Sequence, residues 1–322
     1  MVELRSPKFL TKWKYIPEIL LVLVTVFWGS TFILTKQTTE DIPSFLYMAI
    51  RFGVAFIAMV PFLLKSGSFF KSWKNWRISL IAGTFYFISI ATQTVGLQFT
   101  SASKGAFITS LGVIFVPLFM SMFHKRKVHY LLWIAVVIAI TGVGLLSFSK
   151  VEPISWGDPL ILICAIAYAL YVIYLDNHVH EVEIIPFTAV QLFLISFLSL
   201  IISLVYEFGI TKSIPTAATM FSMNNVFVIL YLGVIATTIT FIMQSYGQRF
   251  VSSTRASLIF AFEPFFATIF AIWLGDEQLS VLIGLGMALV FSAVVISIFS
   301  PQDPLKTTVI NEKEENTSKN NN

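Results

Sequence analysis

Hydrophobic positions in this chain fall into long unbroken runs, with neither the alternation of strands nor the stripe of a surface helix. Ten runs can be marked: Pro17–Thr35, Ile42–Leu64, Ile78–Gln98, Gly105–Phe123, Tyr130–Ser149, Pro159–Leu175, Ile184–Tyr206, Val226–Tyr246, Ala256–Leu274 and Leu279–Phe299. Membrane-crossing barrel strands would alternate polar and apolar residues over about ten positions. These runs are apolar throughout and about twice as long, the length at which a helix crosses the hydrocarbon with its backbone bonds closed internally. The linking segments are short and hold turn residues such as Ser66-Gly67-Ser68 and Glu152-Pro153. The longest is expected from about Glu207 to Asn225, with Gly209, Pro215 and Asn224-Asn225. Beyond Ser300 the chain turns polar and has little apolar surface to bury, which predicts a disordered tail over 301–322.

Composition supports this reading. The chain is 57% hydrophobic and 12% charged, with a mean hydropathy of +0.83. Soluble domains carry about a quarter charged residues, so most of this surface faces something other than water. Ten spans use most of the 322 residues and leave no room for a large soluble domain. Cys164, the sole cysteine, excludes an intrachain disulfide. The polar head leads into an apolar run too long for a signal peptide, so the first helix is expected to stay in the mature protein.

Lys and Arg give an orientation. With the amino terminus inside, the inside segments hold sixteen basic residues and the outside segments four: Lys36, Lys104, Lys150 and Lys212. That bias predicts cytoplasmic termini in a multi-pass protein of the cell membrane. The inside loop from Asp176 to Glu183 dissents, having no Lys or Arg.

An offset of 151 residues lays Ile78–Phe148 on Ile229–Phe299 without a gap. Gln93 then falls on Gln244, Gly96 on Gly247, Phe99 on Phe250, Ser101 on Ser252 and Lys104 on Arg255. At a slightly smaller offset Phe27-Trp28-Gly29 faces Ala167-Tyr168-Ala169, and Ile42-Pro43 faces Ile185-Pro186. Helices one to five thus resemble helices six to ten. Five being odd, the second half must lie upside down, the inverted-repeat plan of secondary transporters. The expectation is an all-α membrane protein of ten transmembrane helices, two inverted five-helix repeats around a central cavity. Its segments are an amino-terminal cytoplasmic stretch 1–15, repeats 16–149 and 150–300, and a cytoplasmic tail.

Several segments carry a family likeness: VFWGSTFILTK in helix one, RFGVAF from Arg51, and SASKGAFITSLGVIFVPLF into helix four. WGDPLILICAIAYALYVIY at helix six and STRASLIFAFEPFFATIFAIWLGDEQLS across helices nine and ten complete it. Over about Ile16 to Ser300 the chain resembles the EamA-type ten-helix branch of the drug/metabolite transporter superfamily. The resemblance implies a helical basket whose cavity is lined mainly by helices one, three, four, six, eight and nine, and it implies export and proton coupling. Lys125-Arg126-Lys127 stands where Asp276-Glu277 follows helix nine, and the family often has an acid at both places, so no role is transferred to that loop.

Two ionisable residues interrupt the apolar runs. Glu263 lies about two turns into helix nine, before Pro264, where an ionised carboxylate must be protonated, paired or wet. It could couple protons or bind a cationic group; equally, a protonated Glu263 could donate to the carbonyl that Pro264 frees. Arg51, mid-span in helix two, could attract a carboxylate, neutralise Glu263, or hold helix ends. Gln93 and Gln244 suit either a cavity wall or an interhelical hydrogen bond. Trp28, Tyr168 and Tyr171 suit an aromatic wall or plain packing, and Tyr174 the interfacial belt. Lys104 and Arg255 are read as interfacial, and His178-x-His180-Glu181 as a solvated loop rather than a metal site.

No phosphate loop, nucleophile elbow or HExxH occurs in the chain. Neither catalytic residue, metal nor cofactor is expected. The leading expectation is a secondary transporter of a small organic metabolite (amino acid, nucleoside-like or drug-like). An intramembrane lipid-modifying enzyme would need polar residues clustered near one face, and a scaffold or receptor would need no polar pair at matched depth. Expected partners are a small-molecule substrate and membrane lipids, with no nucleic acid; a homodimer stays open.

Overall fold

The computed structural model describes residues 15–64, 66–123, 128–147, 155–274 and 280–301. The amino-terminal stretch, the Lys125-Arg126-Lys127 loop, Asp276-Glu277 and the tail with Asn320 lie outside these residues.

The described residues are helical throughout their regular structure. In chain order they form α1 (Ile16–Asp41), α2 (Ser44–Leu63), α3 (Trp73–Gly96), α4 (Ala102–Ser110 and Gly112–Phe123), α5 (Tyr130–Ser147) and α6 (Gly157–His178). There follow α7 (Ile184–Ile210), α8 (Met223–Gln248), α9 (Ser253–Phe260 and Glu263–Leu274) and α10 (Val281–Phe299). Among the described residues eight helices are long and apolar enough to cross a membrane, and Tyr130–Leu145 is a shorter apolar helix. Their outer faces are hydrophobic: Phe62, Val137, Val205 and Phe291 are all more than half exposed. A surface of that kind is stable only against lipid, and the chain is a multi-pass membrane protein.

Three features depart from the expected runs. The ninth run is two helices, split at residues 261–262; Pro264 has no N–H to give the Phe260 carbonyl, so the ladder breaks there. The fourth is split at Leu111, the position that the 151-residue offset lays on Phe262. Finally, Glu207 is not in a loop. The seventh helix runs on through wider π-type turns, Ser203–Ile210, and the Glu207 carboxylate accepts from the amides of Phe45 (2.8 Å) and Leu46 (2.9 Å). These are unpaired donors of the first turn of α2, and a negative charge there also meets the positive end of the helix dipole.

The helices pack largely across the two halves of the sequence. α3 lies on α6 and α1 on α8; α2 pairs with α7, and α5 with α10. Two glycines mark close approaches between helices of the two halves. A Cβ at Gly96 would meet Ile161 Cγ1 at 2.6 Å and the Gly157 oxygen at 3.0 Å. One at Gly247 would meet Leu21 Cδ2 at 2.7 Å and the Pro17 oxygen at 3.1 Å. Small residues let helix backbones approach in a membrane, where packing rather than water expulsion drives association.

Candidate functional site

The breaks in α4 and α9 fall beside two small cavities among the described residues. The first, about 30 Å³, is lined by Trp28 and Thr31 of α1, Arg51 of α2, Tyr86, Ser89, Ile90 and Gln93 of α3, Thr109 of α4, Cys164 and Tyr168 of α6, and Glu263 of α9. The second, about 20 Å³, lies against Thr109, Tyr168, Val172, Ser257, Phe260 and Glu263. Thr109, Tyr168 and Glu263 belong to both. Such volumes hold about one or two waters each.

Arg51 is buried and firmly placed. Its Nε donates to Thr237 Oγ1 (3.1 Å) and its Nη1 to the Tyr47 hydroxyl (3.1 Å), which is itself hydrogen-bonded to Thr35 (2.9 Å). The guanidinium carbon lies 5.4 Å from the Phe52 ring centroid, within cation–π range. Among the described residues no carboxylate pairs with Arg51, and its Nη2 has no hydrogen-bond partner. In the same cavity the Glu263 carboxyl, at the start of the second half of α9, has neither a cation nor a hydrogen-bond donor among the described residues. Of the roles open to Arg51, direct neutralisation of Glu263 is not seen: the two groups line one cavity without joining.

The aromatic wall comes from α1, α3, α6 and α9. Trp28 Nε1 donates to the Ala236 oxygen (3.2 Å) and Thr240 Oγ1 (3.1 Å), which fixes its ring. That ring is edge-on to Tyr168 with centroids 5.8 Å apart, and Phe260 closes on both, at 5.7 and 5.9 Å. Gln244 is wholly buried; its amide donates to the Tyr168 hydroxyl (3.1 Å) and to Gln248 Oε1 (3.0 Å). Gln93 lines the first cavity directly and donates to Thr109 Oγ1 at 3.3 Å.

The structure therefore brings Trp28, Arg51, Gln93, Tyr168 and Glu263 to one cavity, with Gln244 one hydrogen bond behind. Tyr171 is not among the residues lining either cavity but sits directly behind two that do, Tyr86 and Tyr168. Its ring packs on Tyr86 (5.1 Å) and it is fully buried. Tyr174 stacks on His178 at 4.2 Å, and His178 Nδ1 is 2.9 Å from the Tyr174 oxygen. Arg255 does not snorkel outward: its side chain is buried beside Glu18. Sequence reasoning missed Tyr86, Ser89 and Thr109. Tyr86, Ser89, Ile90 and Gln93 sit at i, i+3, i+4 and i+7, one face of α3, and that stripe in an apolar helix was the available signal.

The model of the EamA-like transporter family matches residues 16–148 and again 155–299. A transporter of Archaeoglobus fulgidus, itself uncharacterised, is 28% identical over 284 residues, covering 86% of this chain and 83% of its own length. The uncharacterised transporter YoaV of Bacillus subtilis is 24% identical, covering 87% of this chain and 96% of its own. YedA, an uncharacterised inner membrane transporter of Escherichia coli, is 24% identical over 84% of this chain and 87% of its own. One crystal structure superposes with a TM-score of 0.71 over 87% of this chain and 95% of the other at 13% identity, a likeness of fold.

Proposed function

This chain belongs to the EamA-like transporter family, and from that premise we propose that it is a secondary transporter that exports a small organic metabolite with a proton or another gradient as the driving force. One observation carries the proposal. Arg51 and Glu263, one from each half of the chain, line a single buried cavity and neither has a counter-ion among the described residues. Leaving a cation and an acid apart inside a membrane is a cost that a structural role would remove by pairing them. A substrate bearing an anionic and a cationic group, an amino acid among them, satisfies both. Arg51 takes the anionic group, the free Nη2 offering a donor. Glu263 takes the cationic group or a proton. Trp28 and Tyr168 give the apolar part a wall, and Gln93 and Gln244 supply neutral hydrogen bonds that hold cargo without trapping it.

The architecture proposed is ten crossings in two inverted repeats, with α5 and the divided α9 counted among them and both termini cytoplasmic in the cell membrane. The glycine contacts support it. The register that lays Gly96 on Gly247 pairs with the register that lays Gly157 and Ile161 on Pro17 and Leu21, and each glycine touches the equivalent partners. The family model's two successive matches support the repeat as well. Broken helices at matched positions beside a cavity are the form that substrate sites of inverted-repeat transporters take.

Flux into or out of sealed proteoliposomes under an imposed pH gradient, run over a panel of zwitterionic, anionic and cationic metabolites, tests the reading. Zwitterions should move, and Arg51→Gln should weaken their apparent affinity at least tenfold. Transport restricted to neutral solutes, unaffected by Arg51→Gln, would overturn the site.

A further inference from the structure

Two ion pairs stand at opposite ends of α1, and each joins one half of the chain to the other. Glu18, in the first turn of α1, faces Arg255 of α9 with Oε1 3.6 Å from Nη1. Lys104 of α4 faces Asp158, in the first turn of α6, with Nζ 2.6 Å from Oδ2. That the pairs are far apart follows from α1 itself. Lys36, eighteen residues beyond Glu18 and about 27 Å along the helix, donates from Nζ to the Thr100 oxygen at 2.7 Å. Thr100 Oγ1 in turn donates to Asp158 Oδ1 at 2.9 Å. Trp28 and Thr31, between these ends, line the cavity.

The pairs are also equivalent in sequence. The offset that lays Gln93 on Gln244 lays Lys104 on Arg255, and the register that lays Trp28 on Tyr168 lays Glu18 on Asp158. Acid and base have thus exchanged halves: the acid comes from the first half at one end and from the second half at the other. Surface residues placed for solubility would have no reason to keep this relation.

We propose that Glu18–Arg255 and Lys104–Asp158 are the two gates of the transport cycle, one closing each end of the cavity, and that the cycle opens them in alternation. The inference rests on the transporter reading above. Both are shut here, which agrees with cavities that admit only a water or two. For cargo to enter, the two halves must part at one end; these pairs are the buried and half-buried charged contacts between the halves, and the more exposed Lys74–Glu181 pair (2.7 Å) is a further one.

The gates are not equal. Asp158 is held by four donors, adding Ser155 N (2.9 Å) and Ser155 Oγ (3.0 Å) to Lys104 and Thr100. Among the described residues Glu18 has one distant charge partner and its buried Oε2 has no hydrogen-bond partner, while Arg255 Nη2 donates to the Ser300 oxygen. A buried pair at 3.6 Å with an orphan oxygen recovers little of its desolvation cost. The gate on the amino-terminal face is therefore the first to open from this conformation.

The experiment is thiol accessibility in proteoliposomes of known orientation, with Thr31→Cys in a Cys164→Ser background and a membrane-impermeant maleimide applied from either face. Glu18→Gln should raise labelling severalfold from the amino-terminal face alone, and Asp158→Asn from the opposite face alone. The parent should label faster from the amino-terminal face. Where Glu18→Gln does not insert, Arg255→Gln opens the same gate from the other side of the pair. Unchanged labelling in correctly inserted variants, or a rise on the same face for both pairs, overturns the gates. The readout needs no substrate: face-specific labelling without flux would sink the transporter reading and leave the pairs only as contacts that close the two ends of the cavity, and flux with unresponsive labelling would keep the transporter reading and overturn the gates.

Discussion

Gly157 lies so close to Gly96 that a Cβ at position 157 would sit 2.3 Å from the Gly96 carbonyl oxygen. The obstacle is backbone, which cannot swing aside as a side chain can. Gly157→Ala should therefore push α6 off α3 and lower stability by about 1–3 kcal/mol, the usual range for overpacking. Gly284→Ala is the control, since nothing lies within 4 Å of its added Cβ. There the change should stay within about 1 kcal/mol and be favourable if anything, alanine being the better helix former. Thermal unfolding of the detergent-solubilised protein measures both, and equal effects would refute the close-packing argument.

Glu207→Ala should destabilise the α2–α7 pair. The substitution leaves the Phe45 and Leu46 amides without their acceptors, at about 1–3 kcal/mol for a buried donor left unpaired. Glu207→Gln keeps one acceptor oxygen and should fall between wild type and Ala. Hydrogen exchange at the start of α2 reports this directly; unchanged protection in Glu207→Ala would mean water replaces the carboxylate at no cost.

Most of the helices were legible because charge is so rare in this chain that each uncharged run declares itself. Arg51 and Glu263 were legible for the same reason. What was not legible depends on neighbours. Tyr168 and Tyr171 are three residues apart and share a face, yet only Tyr168 reaches a cavity, because a 60° rotation about the α6 axis separates the wall from the packing behind it. Arg255 reads as a snorkelling base from its position at a helix start, and only the fold places Glu18 beside it. Glu207 looks like loop because Gly209 and Pro215 follow, but its partners lie some 160 residues away in sequence. The split at Leu111 carries only the local hint of Gly112.

Both termini are expected in the cytoplasm, as the Lys and Arg bias predicts. In a Cys164→Ser background, Asn320→Cys should resist a membrane-impermeant maleimide added to intact cells and label once the cells are opened. A cysteine at Lys212, on the expected outside, should label in both conditions. Labelling of Asn320→Cys in intact cells would invert the topology, and with it the assignment of the two gates to faces of the membrane.

Glu263→Gln tests coupling. The carboxyl borders both cavities and has no cation beside it among the described residues, so Arg51 does not lock it in the ionised form. A group in that setting can take a proton when the cavity opens to the acidic side and release it when the cavity opens to the other. The amide keeps shape and hydrogen-bonding capacity but cannot carry the proton. The variant should insert, unfold within about 1 kcal/mol of wild type, and still exchange substrate down its own gradient. Accumulation driven by an imposed pH gradient should fall at least tenfold. The competing role is structural: Pro264 leaves the Phe260 carbonyl without its helical donor, and a protonated Glu263 could supply one. A glutamine amide supplies a donor equally well, so that role predicts a variant with normal gradient-driven transport. Retained pH dependence in Glu263→Gln would therefore assign the carboxyl to the fold and send the search for the coupling group elsewhere in the cavity.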